Sequence, residues 1–210
     1  MKLSRFWITC LCITVIYMAA SAQAVPLIND SRIIHITERN ANNQVVSIKE
    51  DGTNEHIIIE SYLSITSAAC SPNGQSIAYN LGYTEIVVTN MSNNSSTSIH
   101  PSGLAIYESL AWSPNGVRLA FNASTPLMAN SGSSIHTTSL DGSDIHQVIQ
   151  NQYTHLIGSW SPDSMQLVYN SPRGDQSYDI FVSNADGSNE IRLTQGAGIT
   201  NSSPQWSPIG

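Results

Sequence analysis

Apolar residues in this chain come in runs of three or four, each closed within a few residues by Ser, Asn, Gly, Pro or Asp. Ile77-Ala78-Tyr79-Asn80, Leu119-Ala120-Phe121-Asn122 and Leu167-Val168-Tyr169-Asn170 form one series. Val45-Val46-Ser47, Ile86-Val87-Val88, Ile135-His136-Thr137 and Ile180-Phe181-Val182 form another. Short runs rich in β-branched and aromatic residues and bounded by turn formers predict strands rather than helices.

The runs belong to a repeat. Ala69-Cys70-Ser71-Pro72-Asn73-Gly74 recurs as Ala111-Trp112-Ser113-Pro114-Asn115-Gly116, as Ser159-Trp160-Ser161-Pro162-Asp163-Ser164 and as Gln205-Trp206-Ser207-Pro208-Ile209-Gly210, with prolines 42, 48 and 46 residues apart. The first series starts five residues after each of the first three prolines, and Ile34-His35-Ile36-Thr37 reads as its degenerate first copy. Six residues after the start of each second-series run comes a turn: Asp51-Gly52, Ser92-Asn93, Asp141-Gly142 and Asp186-Gly187. Asp-Gly between β-rich runs is a hairpin signal because Gly tolerates positive φ, and Asn93 is the next most tolerant residue. From turn to following Cys or Trp the distances are 19, 20, 19 and 20 residues. Each copy holds four short strands: A, ending at the Trp, then B, C and D. Four-stranded units at about 40 to 50 residues are the arithmetic of a propeller blade. The expected fold is all-β, a β-propeller of about four blades of four antiparallel strands over residues 33–210.

The first 24 residues are expected to lie outside this fold as a signal peptide. Lys2 and Arg5 precede an apolar stretch from Phe6 to Ala20, and Ala22-Gln23-Ala24 supplies the small-x-small cleavage pattern. Ser21 and Gln23 interrupt before a membrane span is complete, so no integral span is expected after removal. Residues 25–32 form a short N-terminal segment. Cys10 and Cys12 leave with the leader, so Cys70 is expected to be a lone, packed thiol at the Trp position of its repeat, with no disulfide.

Composition agrees with a turn-rich exported chain. Only 11% of the 210 residues are charged, while Ser numbers 32 and Asn 18. Both compete with helix hydrogen bonding and favour turns. Net charge is −7, moving to −9 without the leader, and the eight Lys plus Arg argue against nucleic-acid binding.

No catalytic constellation is visible. A Gly-x-Ser-x-Gly elbow, a Gly-rich phosphate loop and a Cys-x-x-Cys or His-x-x-x-His pair are all missing from the sequence. His56 and His146 fall at equivalent positions of different copies, and Asp163, Asp175, Asp179 and Asp186 do not have calcium-loop spacing. The expectation is a non-enzyme without metal, cofactor or small-molecule ligand.

The repeat resembles a known family. Trp160-Ser161-Pro162-Asp163, Leu167-Val168-Tyr169-Asn170, Asn184-Ala185-Asp186-Gly187-Ser188 and Arg192-Leu193-Thr194 together resemble the TolB-type β-propeller repeat. The resemblance implies a periplasmic or secreted protein that binds an envelope protein or lipoprotein. Family members carry an α/β domain before a six-bladed propeller, and residues 25–32 leave no room for one. The chain ends at Trp206-Ser207-Pro208-Ile209-Gly210, where strand A should turn into B. Two readings stay open: a piece of a longer propeller, which family precedent favours, or a last A strand that completes a first blade starting at B.

In an up-and-down blade the A–B and C–D turns share one face, and the B–C loops and D–A connectors share the other. Only the B–C segments vary: Glu38–Asn43, Leu81–Glu85, Ala123–Ser134 and Ser171–Asp179. They lie with the connectors around Tyr62, Tyr107, Tyr153–His155 and Ala197–Ser202. Binding residues sit on loops over rigid scaffolds, and Tyr and Arg dominate hot spots. The candidate partner-binding residues are therefore Tyr107, Tyr153, His155, Arg173 and Tyr178. Trp112, Trp160 and Trp206 are read as inter-blade packing, with ligand stacking the alternative. The leading expectation is a non-catalytic envelope scaffold. Its alternatives are a detached propeller of a peptidase or polysaccharide-processing enzyme, and a carbohydrate-binding module using Tyr107 and Tyr178.

Overall fold

The computed structural model describes residues 10–13, 31–125, 132–149, 155–172, 177–195 and 199–209. Among these there is no helix, and hence none long and apolar enough to cross a membrane. The strands form four four-stranded antiparallel meanders, as the repeat predicts. The chain divides into two compact units, Met1–Ser98 and Ile99–Gly210.

In the first unit, one sheet runs β1 (Cys10–Ile13), β2 (Ser31–Arg39), β3 (Asn42–Lys49) and β4 (His56–Ser61). The next runs β5 (Ala68–Cys70), β6 (Ser76–Leu81), β7 (Glu85–Asn90) and β8 (Ser96–Ile99), whose last residue opens the second unit. Ile34 and Val45 of the first sheet pack with Ala68, Ile77, Tyr79 and Val87 of the second.

In the second unit, β9 (Ala105–Trp112), β10 (Arg118–Ser124), β11 (Ser134–Ser139) and β12 (Ile145–Ile149) form one sheet. The other is β13 (Leu156–Trp160), β14 (Gln166–Pro172), β15 (Tyr178–Asn184) and β16 (Ile191–Arg192). Ala120, Ile135 and Val148 pack against Trp160, Leu167, Tyr169 and Phe181. The Trp160 indole N–H donates to Ala111 O at 3.1 Å, so this Trp bridges the two sheets as the repeat frame suggested.

The second strand is deeply buried in β6, β10 and β14, and less so in β2. β6 and β10 are buried at every position except their ends. They therefore read as unbroken small and apolar runs rather than as alternating ones. The last strands are more open: three of four positions in β8 and three of five in β12 are exposed.

The A–B turn depends on its serine more than on its proline. Ser71, Ser113 and Ser161 are buried. Each hydroxyl donates to the Asn or Asp two residues on: Asn73 at 2.7 Å, Asn115 at 2.7 Å and Asp163 at 2.5 Å. The same oxygens accept from Ser76 N, Arg118 N and Gln166 N. The serine oxygen is thereby used both as donor and as acceptor within the turn, while Asn115 N donates outside it, to Ser164 Oγ at 3.0 Å.

The C–D turns behave alike. Asp51, Asp141 and Asp186 each accept the backbone N–H and hydroxyl of the Thr or Ser two residues later. Gly52, Gly142 and Gly187 take positive φ. In the second blade the pair is Asn93–Asn94, not Ser92–Asn93. Asn93 accepts from Ser95 N at 2.9 Å, and Asn94 takes φ 56°. This turn contains one extra residue: its positive-φ residue, Asn94, lies four places after Asn90, where Gly52 lies three after Lys49.

Two features at the start of the chain depart from expectation. β1, drawn from the stretch read as leader, pairs with β2 in the A position, Cys10 opposite Ile34 and Ile13 opposite Ser31. An apolar strand edge recruits any nearby extended apolar run. Cys70, moreover, is disulfide-bonded, which corrects the expectation of a lone thiol. The other cysteines, Cys10 and Cys12, lie on β1, which lies against β5, the strand that ends at Cys70.

Candidate functional site

The B–C loops and D–A connectors meet at one end of each sheet, and buried asparagines pin them there. Asn80 closes the B strand of the second blade and is fully buried. Its Oδ1 accepts from Thr66 N at 2.9 Å and Ser67 N at 2.7 Å, and its Nδ2 donates to Thr66 Oγ1 at 2.7 Å. Asn122 holds the equivalent position in the third blade and donates to His155 O at 2.7 Å. Ser133 Oγ also donates to His155 O, and His155 N donates back to Ser133 O. Loop and connector are thus tied together on a rigid base.

The five candidate residues are placed as follows. His155 is fully buried and works through its backbone in this bracket, so its ring is not an accessible contact. Tyr178 is half-buried at the start of β15, and its carbonyl accepts from Asn201 N at 2.8 Å, joining a B–C loop to a D–A connector. Tyr107 lies on β9, a strand with a register shift between Phe121 and Ala123 and with Ser109 at φ 60°. Tyr153 and Arg173 lie outside the described residues. The described candidates are not brought into contact with one another by any hydrogen bond among those above.

In the first unit the same end carries residues that spacing alone did not rank. Tyr62 is 87% exposed, Leu63 54% and Tyr83 39%. Tyr83 sits at the tip of the β6–β7 hairpin with φ 63°, beside Gly82 at φ 59°. Two consecutive positive φ values define a type I′ turn, which normally takes Asn-Gly.

The opposite face is self-satisfied. Hydrogen bonds from Ser139 and Ser143 hold the Asp141 carboxyl down at about 2. Asp144 lies between Arg118 Nη1 and His146 Nε2, each at 2.6 Å, and the Arg118 hydrogen bond keeps its carboxyl below the usual range. At the start of β15, on the candidate face, buried Asp179 likewise pairs with Arg192 and accepts from Thr194 Oγ1. Among the described residues no three His, Cys, Asp or Glu side chains converge as metal ligands.

A cleft of about 530 Å³ in the second unit is bordered by His100, Leu104, Thr125, His136, Ile145 and Gln147. His136 stacks on Phe121 with ring centroids 5.4 Å apart. Ser134 Oγ donates to Ala123 O, so it must accept from His136 Nε2, which fixes the Nε2–H tautomer. Burial pushes this imidazole down to about 4. The unfolded chain then binds a proton that the folded chain refuses. Stability is expected to fall as pH drops from about 6.5, reaching a loss of roughly 3 kcal/mol below pH 4. Urea midpoints of wild type and His136→Phe at several pH values check this; equal pH dependence of the two would refute it.

In sequence, the chain matches the TolB beta propeller domain family over residues 26–210. No curated protein matches it at a significant level. Among solved structures it is similar to TolB from Acinetobacter baumannii, at 20% identity and a TM-score of 0.67, covering 85% of this chain and 45% of that one. It is also similar to a TolB from Agrobacterium tumefaciens, at 22% identity and 0.61, covering 75% and 55%. Oligogalacturonate lyase from Vibrio parahaemolyticus shares the fold at 9% identity and 0.63, covering 79% and 50%. The chain spans about half the length of these structures. Sixteen short strands in four repeated meanders among the described residues, and a family match from residue 26 to the last residue, lead to one statement: this chain belongs to the TolB β-propeller domain family.

Proposed function

We propose that this chain is an exported, non-catalytic propeller scaffold that binds an envelope protein through its B–C and D–A face. The observation that carries the reading is the anchoring of that face. Asn80 and Asn122 clamp loops whose lengths vary from blade to blade, while the opposite turns spend their polar groups on one another. Uniform, internally satisfied turns offer a partner little, whereas varied loops on a fixed base are where recognition is built. Tyr107, Tyr153, Arg173 and Tyr178 remain the proposed contacts. A leader over residues 1–24 belongs to the same proposal. Its removal would take β1, Cys10 and Cys12 with it.

The chain carrying a C-terminal tag, expressed with its leader, tests both parts. The exported form is expected to begin at Val25 by intact mass. It should capture an envelope protein that Tyr178→Ala and Arg173→Ala release, while Ser143→Ala on the other face does not. Capture that is indifferent to the face variants would sink the reading. A second reading, a propeller working beside a catalytic domain, draws on the likeness to a lyase of whose chain half is matched.

A further inference from the structure

We infer that Tyr62, Leu63 and Tyr83 form a docking surface for a basic, apolar peptide segment of a partner protein. The inference rests on the binding-face reading above and assigns that face a second contact area within the first unit.

Geometry joins Leu63 to the Gly82–Tyr83 turn, and Tyr62 is next to Leu63 in the chain. Gly82 N donates to Ser64 O at 2.9 Å, which binds the connector to the hairpin tip. Leu63 packs over Gly82, its Cδ1 3.5 Å from where a Cβ would stand. Tyr62 and Tyr83 flank this pair in sequence, and all three side chains face solvent to a substantial degree. Large apolar side chains gathered at one exposed spot mark interaction sites more often than isolated ones do.

The backbone supplies an independent observation. A tyrosine in the left-handed region is a genuine outlier, because its Cβ crowds the carbonyl. Asn or Gly would make the same turn without strain. Strain of this kind is held where a side chain must be presented in a set direction.

Charge decides the occupant. Glu60 is two residues before Tyr62, and Glu85 two residues after Tyr83. Glu38 lies at the same end of β2, opposite Asn43. Glu60 accepts from two neutral donors, Asn42 Nδ2 at 3.0 Å and Gln44 Nε2 at 2.8 Å, so these partners among the described residues bring it no positive charge. The cations of this unit's described residues are otherwise placed. Arg32 is buried against Ser47, Arg39 pairs with Glu55, and Lys49 is opposite Arg32 at the far end of the sheet. Tyrosine faces flanked by carboxylates attract Arg and Lys through cation–π and Coulomb terms, while Leu63 accepts an apolar neighbour.

The test uses fluorescein-labelled peptides of alternating Arg and Leu or of alternating Glu and Leu, with chitotetraose as competitor, read by anisotropy on the full chain. The Arg/Leu peptide is expected to bind and to weaken with salt. Tyr62→Ala and Tyr83→Asn should each weaken it by about tenfold or more. Tyr83→Asn should not lower the melting temperature, which separates lost contact from lost fold. Three results would each overturn the inference: binding of the two peptides alike, affinity unchanged in both variants, or displacement by chitotetraose, which would make the patch a glycan platform. Loss of this binding while capture through Tyr178 and Arg173 persists would remove only this inference, and the reverse only the reading beneath it.

Discussion

Gly187→Ala is expected to destabilise the second unit by about 4 kcal/mol, whereas Gly52→Ala in the equivalent turn of the first blade costs about 1 kcal/mol. Both glycines follow the turn Asp and both take positive φ, 85° and 79°. An added Cβ at Gly52 meets nothing within 4 Å, so only the left-handed backbone penalty applies. At Gly187 the Cβ would stand 2.6 Å from Val148 O and 2.9 Å from Gln147 O. Those are backbone atoms of β12 in the neighbouring sheet, and they cannot swing away as a side chain could. The turn or the sheet would have to move, and packed interiors resist that. Urea unfolding of the two variants measures the difference directly. Equal costs at the two sites would show that φ alone, and not inter-blade approach, explains the glycine.

Asn80→Ala should cost about as much, near 4 kcal/mol, through a different mechanism. It leaves the buried N–H groups of Thr66 and Ser67 without their acceptor, each at roughly 1–3 kcal/mol, and strips Thr66 Oγ1 of its donor. Asn80→Asp keeps an acceptor for both N–H groups, and the Thr66 hydroxyl can reverse to donate. Its cost at neutral pH should fall well below that of the alanine variant. The comparison is made by thermal and urea unfolding, with hydrogen exchange at Thr66 and Ser67 as a local readout. A loss no greater for Ala than for Asp would mean that the bracket contributes little.

The blades were legible in the sequence because a repeat states the same local solution several times. Asp-Gly at one frame position and Ser-Pro-Asn at another imply turns by their own backbone chemistry, and those turns occur at Asp141 and Asp186 as read. The misplacement at Ser92 arose where one extra residue broke the count, since Asn93 and Asn94 are both competent turn residues. Polar residues inside the frame were harder to value. Ser113 and Asn122 look like ordinary members of a Ser/Asn-rich chain, and only their burial reveals them as brackets. His155 was read as a face residue from its place in a connector. The connector turns inward there, because its carbonyl is needed by Asn122 and Ser133. The exposed patch at Tyr62, Leu63 and Tyr83 escaped ranking because Leu63 and Tyr83 are twenty residues apart and are joined only by the hydrogen bond from Gly82 to Ser64 and the packing of Leu63 on Gly82.

The four-stranded repeat and most of its turn positions followed from the sequence alone, because each depends on residues within a few places of one another. The tertiary structure decided which glycine is needed for space and which for φ, since Gly52 and Gly187 share every local property. It also decided which polar residues are buried and joined Cys70 to a disulfide that no spacing rule indicated. These features depend on atoms brought together from separate blades. A period tells where the blades begin, and only packing tells what each position faces.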